Sequence, residues 1–439
     1  MSVTASTGQD LAALLERLPF LGDLDPAGRR VLVRADFNVP FDDNGGMVDD
    51  GRLRAVLPTI NFLLDRGAKV IVASHMRNPL ENCGRPDPKY SFAPLARRLS
   101  RIWEAEVTFA PRAVGEETRK LAERLEPGRI LLLENLRFDP GETAADPEFA
   151  RGLAELADIY VNDAFGVCHR AHASMTAVTR LVKTCVAGLA LRNELMALNR
   201  ALTNPARPLA AVIGGRNIEA KLPVLSKFMR LADYVLLGGT MGDAVSRLAF
   251  RRDIGHLNLP PETIEEMEAI VKNASADYPA KLFLPMDAVG APAGGSPTGA
   301  AKVVVVQNLT PETAAEDIGP ATRLWYSEVL SLCRTIIWNG PMGAYENPAF
   351  AKGTALVTRA LADCQGVTLA GGVDTSAAIL KMSDRSQVSF LSTGGSAFLK
   401  ALAGQPLVAL EALLEHSDTD KMMPVSQPKP KSTRTKGSS

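Results

Sequence analysis

The chain has 439 residues, 49 basic and 49 acidic side chains, and 46% hydrophobic residues. Its length allows two or three domains of about 150 residues each. The balanced charge argues against a general nucleic-acid binder, which would carry a basic excess, and neither half of the chain holds one.

Short β-branched runs alternate with longer amphipathic segments. Residues 30–34 read as a strand, 53–66 as a helix, 68–73 as a strand and 92–103 as a helix. A strand at 130–134, a helix at 148–156 and a strand at 159–161 follow. The segment 186–202 is strongly helical and stops at Asn204-Pro205, so it predicts a helix between two domains. A second set of strands is expected at 209–213, 234–237, 281–284, 335–338, 367–370 and 388–391. Residues 290–299 are rich in Gly, Pro and Ala and read as a loop. The tail 421–439 is Pro-, Ser- and Lys-rich, and composition predicts disorder there.

The fold class that follows is α/β: two Rossmann-like, three-layer domains with mostly parallel sheets, joined by an interdomain helix. No run of about 18 apolar residues occurs, so there is no transmembrane candidate. Met1 to Asp10 lacks the features of a secretory signal. The five cysteines, Cys83, Cys168, Cys185, Cys333 and Cys364, are scattered and form no CxxC. They read as free thiols and point to a cytoplasmic protein.

Ligands of such sheets sit beyond the carboxyl ends of the strands. In the second half, four strands end in Gly-Gly before a helix: Gly214-Gly215, Gly238-Gly239, Gly371-Gly372 and Gly394-Gly395. Glycines let a ligand approach the backbone, and a helix N-terminus offers free N–H groups, so phosphates or a nucleotide are expected. No GxxxxGK[ST] occurs, which excludes a P-loop. In the first half, Arg34-Ala35-Asp36-Phe37-Asn38, Ser74-His75, Asn135-Leu136-Arg137 and His169-Arg170-Ala171-His172 follow strands, and Arg52 starts a helix. Arginines and histidines converging there would form a cup for a carboxylate and a phosphate. Nothing at helical spacing completes a metal site around the histidines.

Four segments are long and specific: Val33 to Pro40, Glu134 to Phe138, Trp338 to Gly343 and Ser392 to Gly395. They resemble phosphoglycerate kinase, and the resemblance runs in order from about residue 29 to about 414. It implies a phosphoglycerate-binding domain at 1–185, a connecting helix at 186–205 and a nucleotide-binding domain at 206–405. A segment at 406–420 would return toward the first domain. It also implies reversible phosphoryl transfer between 1,3-bisphosphoglycerate and ADP, with Mg²⁺, hinge closure and a monomer. Asp36 and Asn38 would contact the glycerate, and Arg52 would stabilise the migrating phosphoryl group. His75, Arg77, Arg137 and Arg170 would hold the substrate's charged groups. Gly214, Gly215, Gly238, Gly239, Gly371 and Gly372 would line the nucleotide phosphates. Lys221 would reach the phosphates, Asn339 would line the site, Glu346 would take the ribose, Thr375 would sit at the phosphates, and Asp374 would ligate Mg²⁺. Asn217, Gly372 and Gly395 complete the expected catalytic set with Arg52 and Lys221.

The sequence departs from the family pattern inside the site. Gly-Gly-Ala-Lys-x-x-x-Lys is here Gly214-Gly215-Arg216-Asn217-Ile218-Glu219-Ala220-Lys221. The first lysine is therefore Asn217, expected on the helix face of Lys221. Ser-His-Leu-Gly-Arg-Pro is here Ser74-His75-Met76-Arg77-Asn78-Pro79, with Arg85 soon after. Arg77, Arg85 and Arg216 are candidates for compensation. Three glycine turns have become Thr240, Val373 and Ser396, and Val373 is expected to add bulk at the phosphates. Two readings stand: a working kinase with a rearranged site, or a weakly active or non-catalytic paralogue that binds a phosphorylated metabolite or nucleotide.

Overall fold

The computed structural model describes residues 11–39, 47, 49–80, 86–254, 257–274, 278–292, 301–310 and 313–422. Arg85, the end of the 290–299 loop and residues 423–439 of the tail lie outside them.

Six strands build the first sheet: β1 (Arg30–Arg34), β2 (Lys69–Ala73), β3 (Val107–Ala110), β4 (Ile130–Leu133), β5 (Ile159–Asn162) and β6 (Cys185–Ala187). All pairings are parallel, in the order β3-β4-β2-β1-β5-β6. Most of the residues of the inner strands β1, β2, β4 and β5 are buried. That explains why they read as unbroken apolar runs. The edge strand β3 alternates and stays partly exposed, so its signal is weaker.

A second parallel sheet holds β7 (Leu209–Ile213), β8 (Tyr234–Leu237), β9 (Lys281–Phe283), β13 (Thr335–Asn339), β14 (Val367–Gly371) and β15 (Phe390–Ser392). Its order is β15-β14-β13-β7-β8-β9. Beside it, β10 (Asp287–Pro292), β11 (Lys302–Val305) and β12 (Thr313–Ile318) form an antiparallel sheet in the order β11-β10-β12. No strand of that sheet was expected. Its central strand carries the Gly-Ala-Pro run that reads as loop, and its pairing shifts register at Val289/Gly290.

Two further expectations are corrected. The helix expected at 53–66 is two helices, Gly51–Ala55 and Leu57–Asp65. Pro58 has no N–H to give the carbonyl of Arg54, and its ring crowds the preceding turn. The connecting helix is Leu189–Leu202, because Cys185 to Ala187 pair with β5 instead. Residues 186 and 187 thus belong to the first sheet, and Gly188 separates strand from helix.

The connecting helix buries Leu191, Leu195, Leu198 and Leu202. Its Glu194 carboxylate reaches the second half, accepting from the Thr393 N–H at 2.7 Å and the Thr393 hydroxyl at 2.8 Å. The chain then returns. The helix Val408–Met422 leaves the second sheet, the Ala409 N–H donates to the Cys168 carbonyl, and Leu410 and Leu413 are fully buried.

Candidate active site

Strand ends of the first sheet place the polar groups of one half-site. Arg34 ends β1 fully buried. Its guanidinium donates to Ser174 Oγ at 2.7 Å, lies 3.3 Å from His75 Nδ1, and pairs with buried Glu142 at 3.5 Å. Two residues on, Asp36 accepts from Arg52 Nη1 at 2.8 Å and lies 3.9 Å from His75. Arg52 also donates to the Asn38 carbonyl, while the Asn38 side-chain oxygen accepts from the Arg77 N–H at 3.0 Å. Arg137 donates to the Arg77 carbonyl at 2.6 Å. The fold therefore brings Asp36, Asn38, Arg52, His75, Arg77 and Arg137 into one connected patch. Exposed Arg170 joins it through its charge, which acts on Arg137, His169 and His172.

Arg77 sits at φ +53°. That backbone suits the glycine of the family pattern, so here a long side chain occupies a left-handed position and points outward, exposed.

The patch is electropositive, and its titrating groups respond to that. Burial, then Arg34, Arg137 and Arg52, hold the His75 pKa well below the ordinary histidine value. His169 is pushed down to about 4 and His172 to about 3 by burial and the neighbouring guanidiniums. Even Arg137 falls to about 10, chiefly through burial and then Arg34. Buried Arg137 Nε, His169 Nδ1 and His172 Nδ1 have no hydrogen-bond partner. Neutral histidines and unpaired donors beside crowded guanidiniums are what an anion would satisfy.

The second half-site lies over the ends of β7, β8, β13 and β14. An open cleft with about 130 Å³ of free volume is lined by Gly215, Gly239, Glu346 and Asp374, together with Arg216 and Glu316. Behind it, Lys221 is buried and donates to the Gly214 carbonyl. Burial lowers its pKa to about 8, while Asp374 pulls it upward. Asn339 donates to the Gly371 carbonyl at 2.7 Å, and its own side-chain oxygen, buried, has no partner. Thr375 accepts from the Gly340 N–H at 2.7 Å. Gly372 has φ +107°, and a Cβ there would stand 2.7 Å from the Asn339 amide nitrogen, so only glycine fits. Gly214 and Gly238 do not line the cleft; they pack against the Pro341–Met342 backbone and the Met342 side chain.

Two expectations fail here. Asn217 is not a helical residue on the face of Lys221. It has extended backbone and caps the helix Ile218–Leu231, its side-chain oxygen accepting from the Ala220 N–H at 3.0 Å. Val373 does not crowd the cleft; it is 66% exposed and absent from the lining.

The half-sites meet. A Cβ on Gly395, at the start of the helix Ser396–Ala403, would lie 3.5 Å from Arg52 Nη2. A cavity of about 340 Å³ between the halves is lined by Asp36, Arg52, Glu194, Arg385 and Thr393, among others.

The chain matches the family model for phosphoglycerate kinase over residues 21–405. The chain belongs to the phosphoglycerate kinase family. It is 41% identical over 392 residues to a phosphoglycerate kinase of Geobacter metallireducens, covering 89% of this chain and 96% of that one. It is 44% identical over 394 residues to that of Desulforudis audaxviator, covering 89% and 98%. The structure of phosphoglycerate kinase from Coxiella burnetii superposes with a TM-score of 0.77 at 32% identity, over 91% of this chain and all of that one. Phosphoglycerate kinase activity, a phosphotransferase reaction with a carboxyl acceptor, follows by this homology, and it favours the kinase reading over the non-catalytic one. Among the described residues no single helix is long and apolar enough to cross a membrane.

The motif that signalled β1 contained Arg34, but nothing in it marked that side chain as the buried centre of the patch. Glu142, a lone acid after Pro140-Gly141, gave no signal at all.

Proposed function

We propose that the first half binds 3-phosphoglycerate or 1,3-bisphosphoglycerate and the second half ADP or ATP. Phosphoryl transfer would occur across the gap between Arg52 and Gly395. The observation that carries this is the approach of Arg52 to the Gly395 turn, because it sets the cationic patch against a glycine turn of the second half. Transfer of this kind depends on positioning and on stabilising charge spread over the migrating group.

In this reading Arg137, Arg170, His75 and the backbone-fixed Arg77 hold the substrate's phosphate and carboxylate. Asp36 and Asn38 orient the glycerate, and Asp36 also aims Arg52 through their 2.8 Å ion pair. Arg52 meets the phosphoryl group from the substrate side. Lys221 supplies a buried cation under the phosphates, Asn339 and Thr375 fix the turn, and Glu346 takes the ribose hydroxyls.

Asp374 fits a Mg²⁺ ion held mainly by nucleotide phosphates. It is an exposed carboxylate in the first turn of the helix Val373–Met382, and it lines the cleft. Among the described residues no cluster of three or more ligands would hold a metal alone, and Mg²⁺ typically takes one or two carboxylates plus phosphates. Bound there, the ion would neutralise phosphate charge. The site is assembled within one chain, so a monomer suffices. The free thiols Cys168, Cys333 and Cys364 fit work in the cytoplasm.

A coupled assay with Mg-ATP and 3-phosphoglycerate tests the reading. The wild type should turn over, and Arg52→Ala should lose about 10²–10³ in kcat with an unchanged circular-dichroism spectrum. Turnover by Arg52→Ala within threefold of wild type would remove Arg52 from the reaction.

A further inference from the structure

The nucleotide cleft is dominated by carboxylates. Glu316, Glu346 and Asp374 line it, and Arg216 is the one cation among its lining residues. Lys221 and Asn217, of the same Gly214–Lys221 segment, do not line its wall. Lys221 is buried and donates to the Gly214 carbonyl, with its pKa lowered to about 8. Asn217 is neutral, exposed and occupied as a helix cap. Arg216 is exposed and makes no hydrogen bond or ion pair with any described residue.

Its place in the backbone matters. It lies between Gly215, at φ +76°, and the cap residue Asn217, before the first helical residue. Its direction is therefore not tied to a face of the helix Ile218–Leu231, and its long side chain can swing over the cleft. A guanidinium is planar, permanently charged and suited to phosphate oxygens.

We propose that Arg216 is a catalytic residue, whose guanidinium meets the migrating phosphoryl group from the nucleotide side as Arg52 meets it from the substrate side. This rests on the phosphoglycerate kinase reading above. In the step, the bond between phosphorus and the acyl oxygen breaks as a bond to a β-phosphate oxygen of ADP forms. The electron pair leaves with the carboxylate, and no proton or redox partner is needed. Negative charge spreads over the three equatorial oxygens, and a cation brought against them lowers the barrier.

Steady-state kinetics of Arg216→Ala, Arg216→Met, Arg216→Lys and the double variant Arg216→Ala/Asn217→Lys test the proposal. Binding of Mg-ADP, with and without magnesium fluoride as a mimic of the migrating group, is measured by calorimetry. Arg216→Ala and Arg216→Met should each lose about 10²–10³ in kcat, while the KM for ATP moves less than about fivefold, as expected for an interaction made only in the transition state. Both should keep Mg-ADP affinity and lose the extra affinity that fluoride confers. Arg216→Lys should regain at least about tenfold in kcat over Arg216→Ala, since it restores a cation at that wall, and so should the double variant, since it places one at the adjacent residue. A kcat within threefold of wild type for both neutral variants overturns the proposal. So does a loss confined to the KM for ATP, which would make Arg216 a ground-state nucleotide contact. An inactive wild type would instead strike the kinase reading itself.

Discussion

His172 shows how the first half stores its charge. It is buried beside Arg34, Arg137, Arg170 and His169, with Glu142 3.7 Å from its Nδ1. One carboxylate does not offset burial and three guanidiniums, so its pKa falls to about 3 and the imidazole stays neutral. Unfolded, it would titrate near 6.5. Between those values the unfolded chain binds the extra proton, so this group's contribution to stability falls as pH falls. The stability of the wild type relative to His172→Gln should therefore decline from pH 6.5 toward pH 4, by at most about 1.4 kcal/mol per pH unit, and stay flat above pH 7. Comparing the two proteins cancels buried Asp163, raised to about 7, and Asp317, raised to about 6, which act in the opposite direction. Urea titrations at several pH values give the difference. A flat difference between pH 6.5 and 4 would mean that His172 is charged in the folded protein. At this scale the strand-end motifs exposed the identity of the patch residues, but not their state. Burial and mutual repulsion arise only once β1, β2, β4 and the 136–180 region pack together.

Elements were legible where their residues are buried on every side. β1, β7 and β8 lie where their apolar runs placed them. The edge strands β9 and β15 were legible too, but other strands were not: β3 is half-exposed, β6 looked like the start of a helix, and β10 to β12 pair only with one another. Those strands exist because a neighbour supplies hydrogen bonds, which no local pattern records. The same limit explains Asn217. Its i, i+4 spacing from Lys221 suggested a shared helical face, whereas the φ +76° turn at Gly215 delays the helix to Ile218 and leaves Asn217 as its cap. Asparagine is among the best N-cap residues, and its loss typically costs about 1 kcal/mol. Asn217→Ala should thus lower stability by about that amount, and Asn217→Lys should do the same, whatever it does to turnover. Chemical denaturation of both variants checks this. Equal stability of Asn217→Lys and wild type would show that the Asn217–Ala220 contact contributes nothing in solution.

The whole molecule is joined more than once. The connecting helix carries the chain from the first sheet to the second, and Glu194 on that helix grips Thr393 of the second half. The chain then comes back, and the helix Val408–Met422 covers the first half with Leu410 and Leu413, while the His416 ring lies 3.0 Å from the Lys183 carbonyl. One core cluster consequently runs from Leu14 and Leu18 through Leu195 and Leu198 to Phe398, Leu410 and Leu413. The final helix is part of the first half's core, although it follows the last strand of the second. Truncating a fully buried leucine removes its transfer free energy and leaves a cavity, at about 2–5 kcal/mol. Leu413→Ala should therefore lower the urea midpoint strongly, while kcat per folded molecule stays within twofold of wild type, because Leu413 is far in sequence and in role from Arg52 and the cleft. If stability instead falls by less than about 1 kcal/mol, below the cost of any well-packed leucine, the returning helix is only laid on the first half. In that case the two halves are held without it, by the connecting helix, the Glu194–Thr393 contact and the packing of the helix Ser396–Ala403 against residues Phe165–Val167.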